Sequence, residues 1–231
     1  MFLRSFFLIE LKKEEEKIEK SEAELMATFS PKAIAENKAK RNIMEVPRIG
    51  VRFRLPASMD QIQYFGRGPE ENYIDRHRGT LVGLYKSKAW DLYTPYVRPQ
   101  ENGHHTDVRW LSATSDKGKG LLITGHGLIE FNALRNSVED FDAEESDAPY
   151  QWTNFSKEEM EKRDPAKAKD VLRKQTHASD ISPQDFVEIC LDWRQQGVAG
   201  FDSWGSRPIP EAMIYADEEY TWAFTIMPIV K

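Results

Sequence analysis

The chain has 231 residues, 40% of them hydrophobic and 11% aromatic, with a net charge of -6 at pH 7. This composition supplies a sizeable core and predicts a soluble globular protein. Its basic residues are scattered among acids, which argues against a nucleic-acid partner. No apolar stretch is as long as a membrane span, and the apolar patch at residues 6–9 is too short for a signal-peptide core. We therefore expect no membrane partner; the single cysteine leaves the compartment open, with the cytoplasm favoured.

The charged stretch ELKKEEEKIEKSEAEL covers residues 10–25. It has one apolar residue per heptad, too few for a coiled-coil seam. Glu16 and Lys20 have the spacing of a helical ion pair. This pattern predicts a solvated helix or a frayed tail.

From residue 47 onward the pattern changes to alternation of apolar and polar residues. The two alternating apolar sets are Ile49, Val51, Phe53 and Leu55, and Tyr220, Trp222, Phe224 and Ile226. Each set predicts a half-buried strand. Short apolar runs at 120–125, 128–134 and 185–192 are separated by turn-forming residues. Because no helical crossovers lie between these runs, the fold class is predicted to be an all-β antiparallel sandwich.

A helical pattern interrupts these strands between Tyr150 and Gln175. Ser156 and Glu159 have the spacing of a capping box, and Asp164 followed by Pro165 resembles an N-cap with a first-turn proline. The segment is predicted to be a helical insertion on a loop.

The string FGRGPEENYIDRHRG, residues 65–79, raises the question of a phosphate-binding loop. The dinucleotide fingerprint requires a third glycine at the position of Glu71, and no Gly-Lys-Ser/Thr follows. Glu70 and Glu71 would also repel a phosphate. We therefore exclude nucleotide binding and predict a tight turn, in which Gly66 and Gly68 have access to positive φ and Pro69 fixes the exit.

Five histidines and one cysteine are the candidates for metal or nucleophilic chemistry. His104 and His105 are adjacent, so on a strand they point to opposite faces. The others, His77, His126 and His177, lie at unrelated spacings, and we assign no metal. Cys190 lies in the apolar run VEICLD and is predicted to be a buried, inert thiol.

Carboxylates in turn-like contexts are the candidates for glycosidase chemistry, which needs two of them at a defined separation. These candidates are Glu70, Glu71, Glu101 and Asp202. Each is equally compatible with a turn-capping role, so we assign no catalytic residue.

The loop VAGFDSWGSRPIPE holds Trp204 outside any predicted strand. An exposed indole there suits an aromatic platform for a sugar. The alternative is a ring that folds back onto its own sheet, and the sequence alone leaves both open.

Three long strings carry a family resemblance: PRIGVRFRLP with FGRGPEENYIDR, then YTPYVRPQENG, then GVAGFDSWGSRPIPE. Together they resemble the C-terminal, small-chain domain of glycoside hydrolase family 2 β-galactosidases, from about Pro47 to the C-terminus. On this resemblance, residues 47–231 are the β-sandwich domain, and residues 1–46 are a charged segment that matches poorly. The GRGPEENY turn then resembles a scaffold element rather than a ligand cradle.

The resemblance implies a supersandwich like that of galactose mutarotase and an enzyme that hydrolyses terminal β-D-galactosides with retention. It places the catalytic glutamates, with magnesium and sodium, on a separate TIM barrel that would be this chain's partner in an oligomeric enzyme. It assigns no metal to this chain. Trp204 is implied to contact the sugar at the aglycone side of the active site.

Two departures from the family pattern qualify these expectations. Ala199 replaces a second glycine in the tryptophan loop. The family also has further strands before PRIG, so we expect the sandwich to be incomplete at its N-terminal side, as in a small subunit, a truncated product or a misassigned start. The alternatives to a β-galactosidase component are a free-standing carbohydrate-binding module and an unpartnered remnant. A mutarotase-like enzyme would also need a His and Glu pair in one cleft.

Overall fold

The computed structural model describes residues 11–12, 23–29, 45–141, 177–198 and 206–230. Within them, nine strands form one antiparallel sheet, so the all-β prediction is confirmed. The strands are β1 (Leu11–Lys12), β2 (Ala23–Phe29), β3 (Arg48–Pro56), β4 (Gln61–Gly68), β5 (Leu81–Lys88), β6 (His105–Thr114), β7 (Gly120–Leu134), β8 (Phe186–Gln195) and β9 (Tyr220–Ile229). A single helical turn, α1 (Val138–Phe141), follows β7, and 3-10 turns lie at Ala89–Leu92, Ala178–Asp180 and Pro210–Ala212. None of the described helices is long and apolar enough to cross a membrane.

The long strand β7 organises the sheet, whose main path runs β1-β2-β9-β7-β6-β4-β5. The first half of β7 pairs with β9, and its second half pairs with β8, which in turn pairs with β3. The two apolar runs predicted as separate strands, 120–125 and 128–134, are therefore parts of one strand. A Cβ on Gly125 would lie 2.5 Å from the Gly127 carbonyl oxygen, so a side chain does not fit there. This is the point at which β7 stops pairing with β9, before it pairs with β8.

The core lies on one face of the strands β3, β7 and β8. Buried residues there include Val187, Ile189 and Leu191, and the partly buried Val51, Phe53 and Leu55 pack against them. The predicted β3 strand is thus confirmed. Its first apolar residue, Ile49, differs because the β3–β8 register shifts between Ile49 and Gly50. Ile49 therefore joins a second, smaller cluster with Val46, Ile214 and Ala216.

The strand predicted near the C-terminus is also confirmed, as β9. Trp222 and Phe224 are buried in the main core, with ring centroids 4.8 Å apart. Ile226 packs against the same core, whereas Tyr220 contacts the second cluster.

The prediction of a helix or tail at residues 10–25 is wrong where the structure describes this range. Residues 11–12 and 23–25 are β-strand, and β2 pairs antiparallel with β9 from Ala23 opposite Ile226 to Phe29 opposite Tyr220. Pairing with the backbone groups of β9 overrides the local helical preference of this charged stretch. The predicted helical insertion and Trp204 lie outside the described residues.

Candidate functional site

The glycines of the GRGPEENY turn serve close packing. Gly66 and Gly68 lie within β4 and do not have positive φ, so that part of the prediction is wrong. A Cβ on Gly66 would lie 2.6 Å from Val108 Cγ2, and one on Gly68 would lie 2.3 Å from the Tyr64 hydroxyl. The chain needs glycine here because the neighbouring side chains occupy the space of a Cβ.

The two long motifs meet through Glu71. Its carboxylate accepts hydrogen bonds from the Gly103 backbone N–H at 2.6 Å, from Arg76 Nη2 at 2.6 Å and from the Tyr96 hydroxyl. Burial alone would raise the pKa of Glu71, but these three donors outweigh it and lower the pKa. Glu71 thus stays ionised and holds the loop before β6, which confirms a turn-capping role.

Asn72 makes a second connection between the motifs. Its amide nitrogen donates to the carbonyl oxygens of Arg67 and Glu70, both at 3.1 Å. Its side-chain oxygen accepts from Thr106 N at 3.0 Å and Thr106 Oγ1 at 2.6 Å. The Asn72 backbone N–H donates to the His104 carbonyl at 2.7 Å. We call these contacts between residues 67–73 and 101–106 the motif junction.

Aromatic stacking completes the motif junction. The Tyr73 ring lies on the His104 ring, with centroids 5.2 Å apart and planes 25° apart. The Arg76 guanidinium lies 4.6 Å from the Tyr73 ring centroid. The same guanidinium forms the ion pair with Glu71. The motif is therefore a rigid corner of the fold.

A polar face lies on the side of β3, β7 and β8 opposite the core. Side chains alternate along strands, so the residues between the apolar ones share this side. Gly50, Asp192 and Glu130 are cross-strand neighbours, as are Arg52, Cys190 and Asn132. We define the polar face as Arg48, Glu101, His104, Glu130, Asn132 and Asp192.

Arg48 connects most of the polar face. Its Nε donates to Asp192 Oδ1 at 3.2 Å, and its Nη2 donates to Asp192 Oδ2 and to Asn132 Oδ1, the latter at 2.8 Å. Arg48 Nη1 also forms a longer ion pair with Glu101 Oε2, at 3.5 Å. Asp192 is 1% exposed, and burial raises its pKa although Arg48 opposes that shift. Arg48 is thus the counterion that keeps a buried carboxylate charged.

The protonation of His104 follows from its hydrogen bonds. Asn132 Nδ2 donates to the Asn102 carbonyl at 2.6 Å and to Glu101 Oε1 at 2.9 Å, so Asn132 Oδ1 is an acceptor. His104 Nδ1, 2.9 Å from that oxygen, must therefore carry a proton. His104 Nε2 lies 3.0 Å from a carboxylate oxygen of Glu130, and this acceptor favours a proton on Nε2 as well. Burial lowers the pKa of His104, but Glu130 and Asp192 together outweigh it, so the pKa is raised. The hydrogen bonds and this shift both favour the doubly protonated ring of His104.

The His104 and Glu130 pair is not an accessible acid and base. The side chains are 0% and 9% exposed, respectively. Glu130 also accepts the Gln195 backbone N–H at 2.6 Å. The pair is bonded within the fold, so it does not support a mutarotase-like reaction at this position. Sequence reasoning missed this pair, although Glu130 and Asn132 alternate with core residues in LIEFNAL and so mark a polar sheet face.

The remaining histidines and Cys190 have structural or surface positions. His105 is buried against the rings of Tyr64 and Phe131, and burial lowers its pKa to about 4. His104 and His105 point to opposite sides, as predicted. His77 bonds Thr106, whereas His126 and His177 are exposed. Burial raises the pKa of the Cys190 thiol to about 12, which confirms a buried, unreactive cysteine.

The remaining sequence-predicted candidates are three carboxylates and a metal site. Glu101 bonds Asn132 and Arg48, Glu70 is exposed, and Asp202 lies outside the described residues with Trp204. Within residues 45–141, 177–198 and 206–230, no three His, Cys, Asp or Glu side chains gather as a metal site.

Together, the sheet and its polar face define an all-β domain in which two sequence motifs build a rigid scaffold. The sequence model described as beta galactosidase small chain matches residues 11–226. The chain belongs to the β-galactosidase small chain family.

Relatives with this domain are much longer than this chain. The β-galactosidase of Priestia megaterium (strain DSM 319 / IMG 1521) is 36% identical over 185 residues, covering 80% of this chain and 15% of the relative. The β-galactosidase of Streptococcus thermophilus is 26% identical over 82% of this chain and 16% of its own length. The Halalkalibacterium halodurans β-galactosidase is 28% identical, with the same two coverages.

Proposed function

We propose that this chain is the small-chain part of a β-galactosidase that hydrolyses terminal β-D-galactosides such as lactose. The observation that carries the proposal is the family match over residues 11–226, together with β-galactosidase relatives that extend far beyond the matched region. The partner is a larger, TIM-barrel-bearing part of the enzyme, and the assembled protein is an oligomer in the cytoplasm.

In this proposal the chemistry resides in the barrel. A retaining glycosidase uses two carboxylates about 5–5.5 Å apart, one as the nucleophile and one as the acid and base. We place these carboxylates, with magnesium and sodium, on the larger part. This chain supplies Trp204, whose ring would pack on the sugar at the aglycone side and orient it. The motif junction supports this scaffold role, because its charged groups bond one another.

The proposed architecture is a supersandwich like that of galactose mutarotase. Residues 47–231 form the domain, and residues 1–46 are a charged segment that contributes β1 and β2 to its edge. A sheet with one apolar face and one polar face supports this arrangement.

The proposal is tested by the activity of the chain with and without its partner. We expect the purified chain alone to hydrolyse no aryl β-galactoside, and addition of the barrel-bearing part to produce turnover. The host should lack β-galactosidase, so that a contaminating enzyme is excluded. Turnover by the isolated chain would contradict the proposal. Galactoside binding by the isolated chain, with no activity in the mixture, would favour a carbohydrate-binding module.

Trp204→Ala tests the aromatic contact in the assembled enzyme. If the ring stacks on the aglycone sugar, the loss should be about 0.5–1.5 kcal/mol, by analogy with aromatic pairs. We expect kcat/KM for lactose to fall about two- to twelvefold. The loss should be in KM if stacking is equal in the ground and transition states, and in kcat if the ring orients the acceptor.

Ile209→Ala is the matched control, because Ile209 is 60% exposed in the same loop. It should leave the kinetics unchanged. A Trp204 ring packed back on the sheet would instead cost about 3–5 kcal/mol of stability on truncation. A destabilised Trp204→Ala protein with normal kinetics per folded molecule would disprove the contact.

A further inference from the structure

Four apolar side chains lie next to one another on the outer face of the sheet, away from the core. They are Phe65 on β4, Val82 and Leu84 on β5, and Trp110 on β6. Phe65 lies directly opposite Leu84 on one side and opposite Trp110 on the other. Tyr64, the preceding residue of β4, is fully buried in the core, so Phe65 points to the opposite face. We call these four side chains the apolar patch.

The apolar patch is open to solvent in this chain. Leu84 is 62% exposed, Val82 40% and Phe65 38%, and Trp110 is half-buried. A single exposed apolar side chain is common on a protein surface, but a cluster on three neighbouring strands marks a contact surface. Aromatic residues are also enriched at the centre of protein interfaces. The clustering and the residue types therefore fit a surface that a protein partner covers.

The edge of the sheet beside the patch is open among the described strands. β5 ends the main path of the sheet and pairs with β4 alone. Edge strands are commonly protected from further pairing by lysine. Lys86 and Lys88 lie in the second half of β5, whereas its first half, residues 81–84, carries no charge. The half without a charge is the one that contributes to the patch.

Basic side chains border the apolar patch, although the chain has a net charge of -6. Lys86 is exposed on the same face of β5, two residues after the leucine of the patch. The Arg109 guanidinium lies 5.6 Å from the ring centroid of the phenylalanine of the patch. Arg67, on the same face of β4, is paired with Asp107 at 2.5 Å. The rim of the patch thus has an excess of positive charge, which suits a partner surface with an apolar centre and an acidic rim.

A second copy of this chain is a poor fit to the patch. A two-fold dimer uses the same surface on both copies, so it would place two basic rims around one contact. Like charges that meet across an interface oppose association. The charge of the rim therefore favours a partner with a different sequence.

The larger part of the enzyme is the partner that fits. The match to the Priestia megaterium β-galactosidase covers 15% of that relative, so most of such an enzyme lies outside this domain. A small chain with no covalent link to the rest needs a contact surface to hold it there. We propose that the apolar patch is the surface on which the larger, barrel-bearing part of the β-galactosidase docks, through an apolar centre and an acidic rim. This inference rests on the proposed function, because it takes the larger part as the partner.

Leu84→Glu tests the centre of the docking surface. The new charge would lie in the middle of the patch and face the acidic rim of the partner. We expect the dissociation constant for the larger chain of the native enzyme, measured by interferometry, to rise at least about tenfold. Val97→Glu, at an apolar residue that is 88% exposed outside the patch, is the matched control and should bind as the parent does. Thermal denaturation checks folding, and equal affinities of the parent and a folded Leu84→Glu chain would overturn the proposal.

Lys86→Glu tests the rim and does not alter the patch. Rim charges act mainly on the association rate and on its salt dependence. The association rate at low salt should therefore fall several-fold, and the decrease of the parental rate with added salt should be lost. Lys117→Glu, at an exposed lysine in the turn after β6, should keep the parental rate and salt dependence. A parental rate and salt dependence in Lys86→Glu would contradict an acidic rim on the partner.

Hydrogen exchange locates the contact without a mutation. Peptides that cover β4 and β5 should exchange more slowly in the native complex than in the free chain, whereas the turn at residues 115–119 should not change. An active complex in which β5 is not protected would show that the docking surface is wrong while the proposed function stands. If the mixture binds but has no β-galactosidase activity, the proposed function fails, and weaker binding by Leu84→Glu still supports the surface. A dimer of the free chain that Leu84→Glu dissociates would mean that a second copy covers the patch, and would overturn the proposal.

Discussion

Arg48→Ala is expected to lower the free energy of unfolding by about 3–5 kcal/mol, the usual cost of removing one partner from a buried ion pair. Asp192, 1% exposed, would lose the counterion that contacts both of its carboxylate oxygens. Burial already raises the pKa of Asp192 with Arg48 present, so without it the carboxylate would be driven toward its neutral form. Asn132 would also lose a hydrogen bond of 2.8 Å. Urea denaturation of the assembled protein, followed by tryptophan fluorescence, measures the loss.

Arg109→Ala is the matched control for this arginine truncation. Arg109 is exposed on the same sheet, where its guanidinium lies 5.6 Å from the Phe65 ring centroid. Its removal should cost less than about 1 kcal/mol. Similar losses for Arg48→Ala and Arg109→Ala would show that the buried pair does not stabilise the polar face.

The stability of the domain should decrease as the pH rises from neutral. His104 has a raised pKa in the folded protein, so it binds its proton more tightly there than in the unfolded chain. This contribution is fully present below the unfolded pKa of about 6.5 and is lost as the pH rises through the folded pKa. Glu130 and Asp192 raise the pKa of His104, whereas burial and Arg48 lower it. Unfolding free energies measured at a series of pH values from 6 upward would show the decline.

Glu130→Gln should abolish or reverse this decline. Without the carboxylate, burial becomes the dominant effect on His104 and favours the neutral ring, which can still donate through Nδ1 to Asn132. Loss of a hydrogen bond to a charged group should also cost about 1.5–3 kcal/mol near pH 6. His126→Gln, at an exposed histidine, should change stability by less than about 0.5 kcal/mol. An unchanged pH dependence in Glu130→Gln would refute the charged pair.

Local pattern was a reliable guide to two of the strands. Alternation predicted β3 and β9, because a strand with one buried face requires apolar residues at every second position. It failed for β7, where two apolar runs interrupted by glycines form one strand that pairs with β6, β8 and β9. It also failed at β2, since the charge-rich sequence does not reveal that β9 has an edge available for pairing.

The candidate site was predictable only in part. The resemblance implied that the GRGPEENY turn is a scaffold element, and Glu71 was a candidate for turn capping, which the structure confirms. His104 was considered only as a metal ligand and was not assigned one; its partner Glu130 lies 26 residues away, and no spacing rule connects them. The aromatic contact of Trp204 stays a prediction.

The sequence by itself determined the fold class, the exclusion of a nucleotide loop and the membership of a family whose motifs are long and unusual. These properties depend on local periodicity and on the identity of consecutive residues, which are visible without coordinates. Only the tertiary structure decided which charges meet: Arg48 with Asp192, and His104 with Glu130. Such pairs form between strands and loops that are distant in the chain, and their energies depend on burial and on distance. The burial of these groups and the distances between them are set only when the sheet assembles.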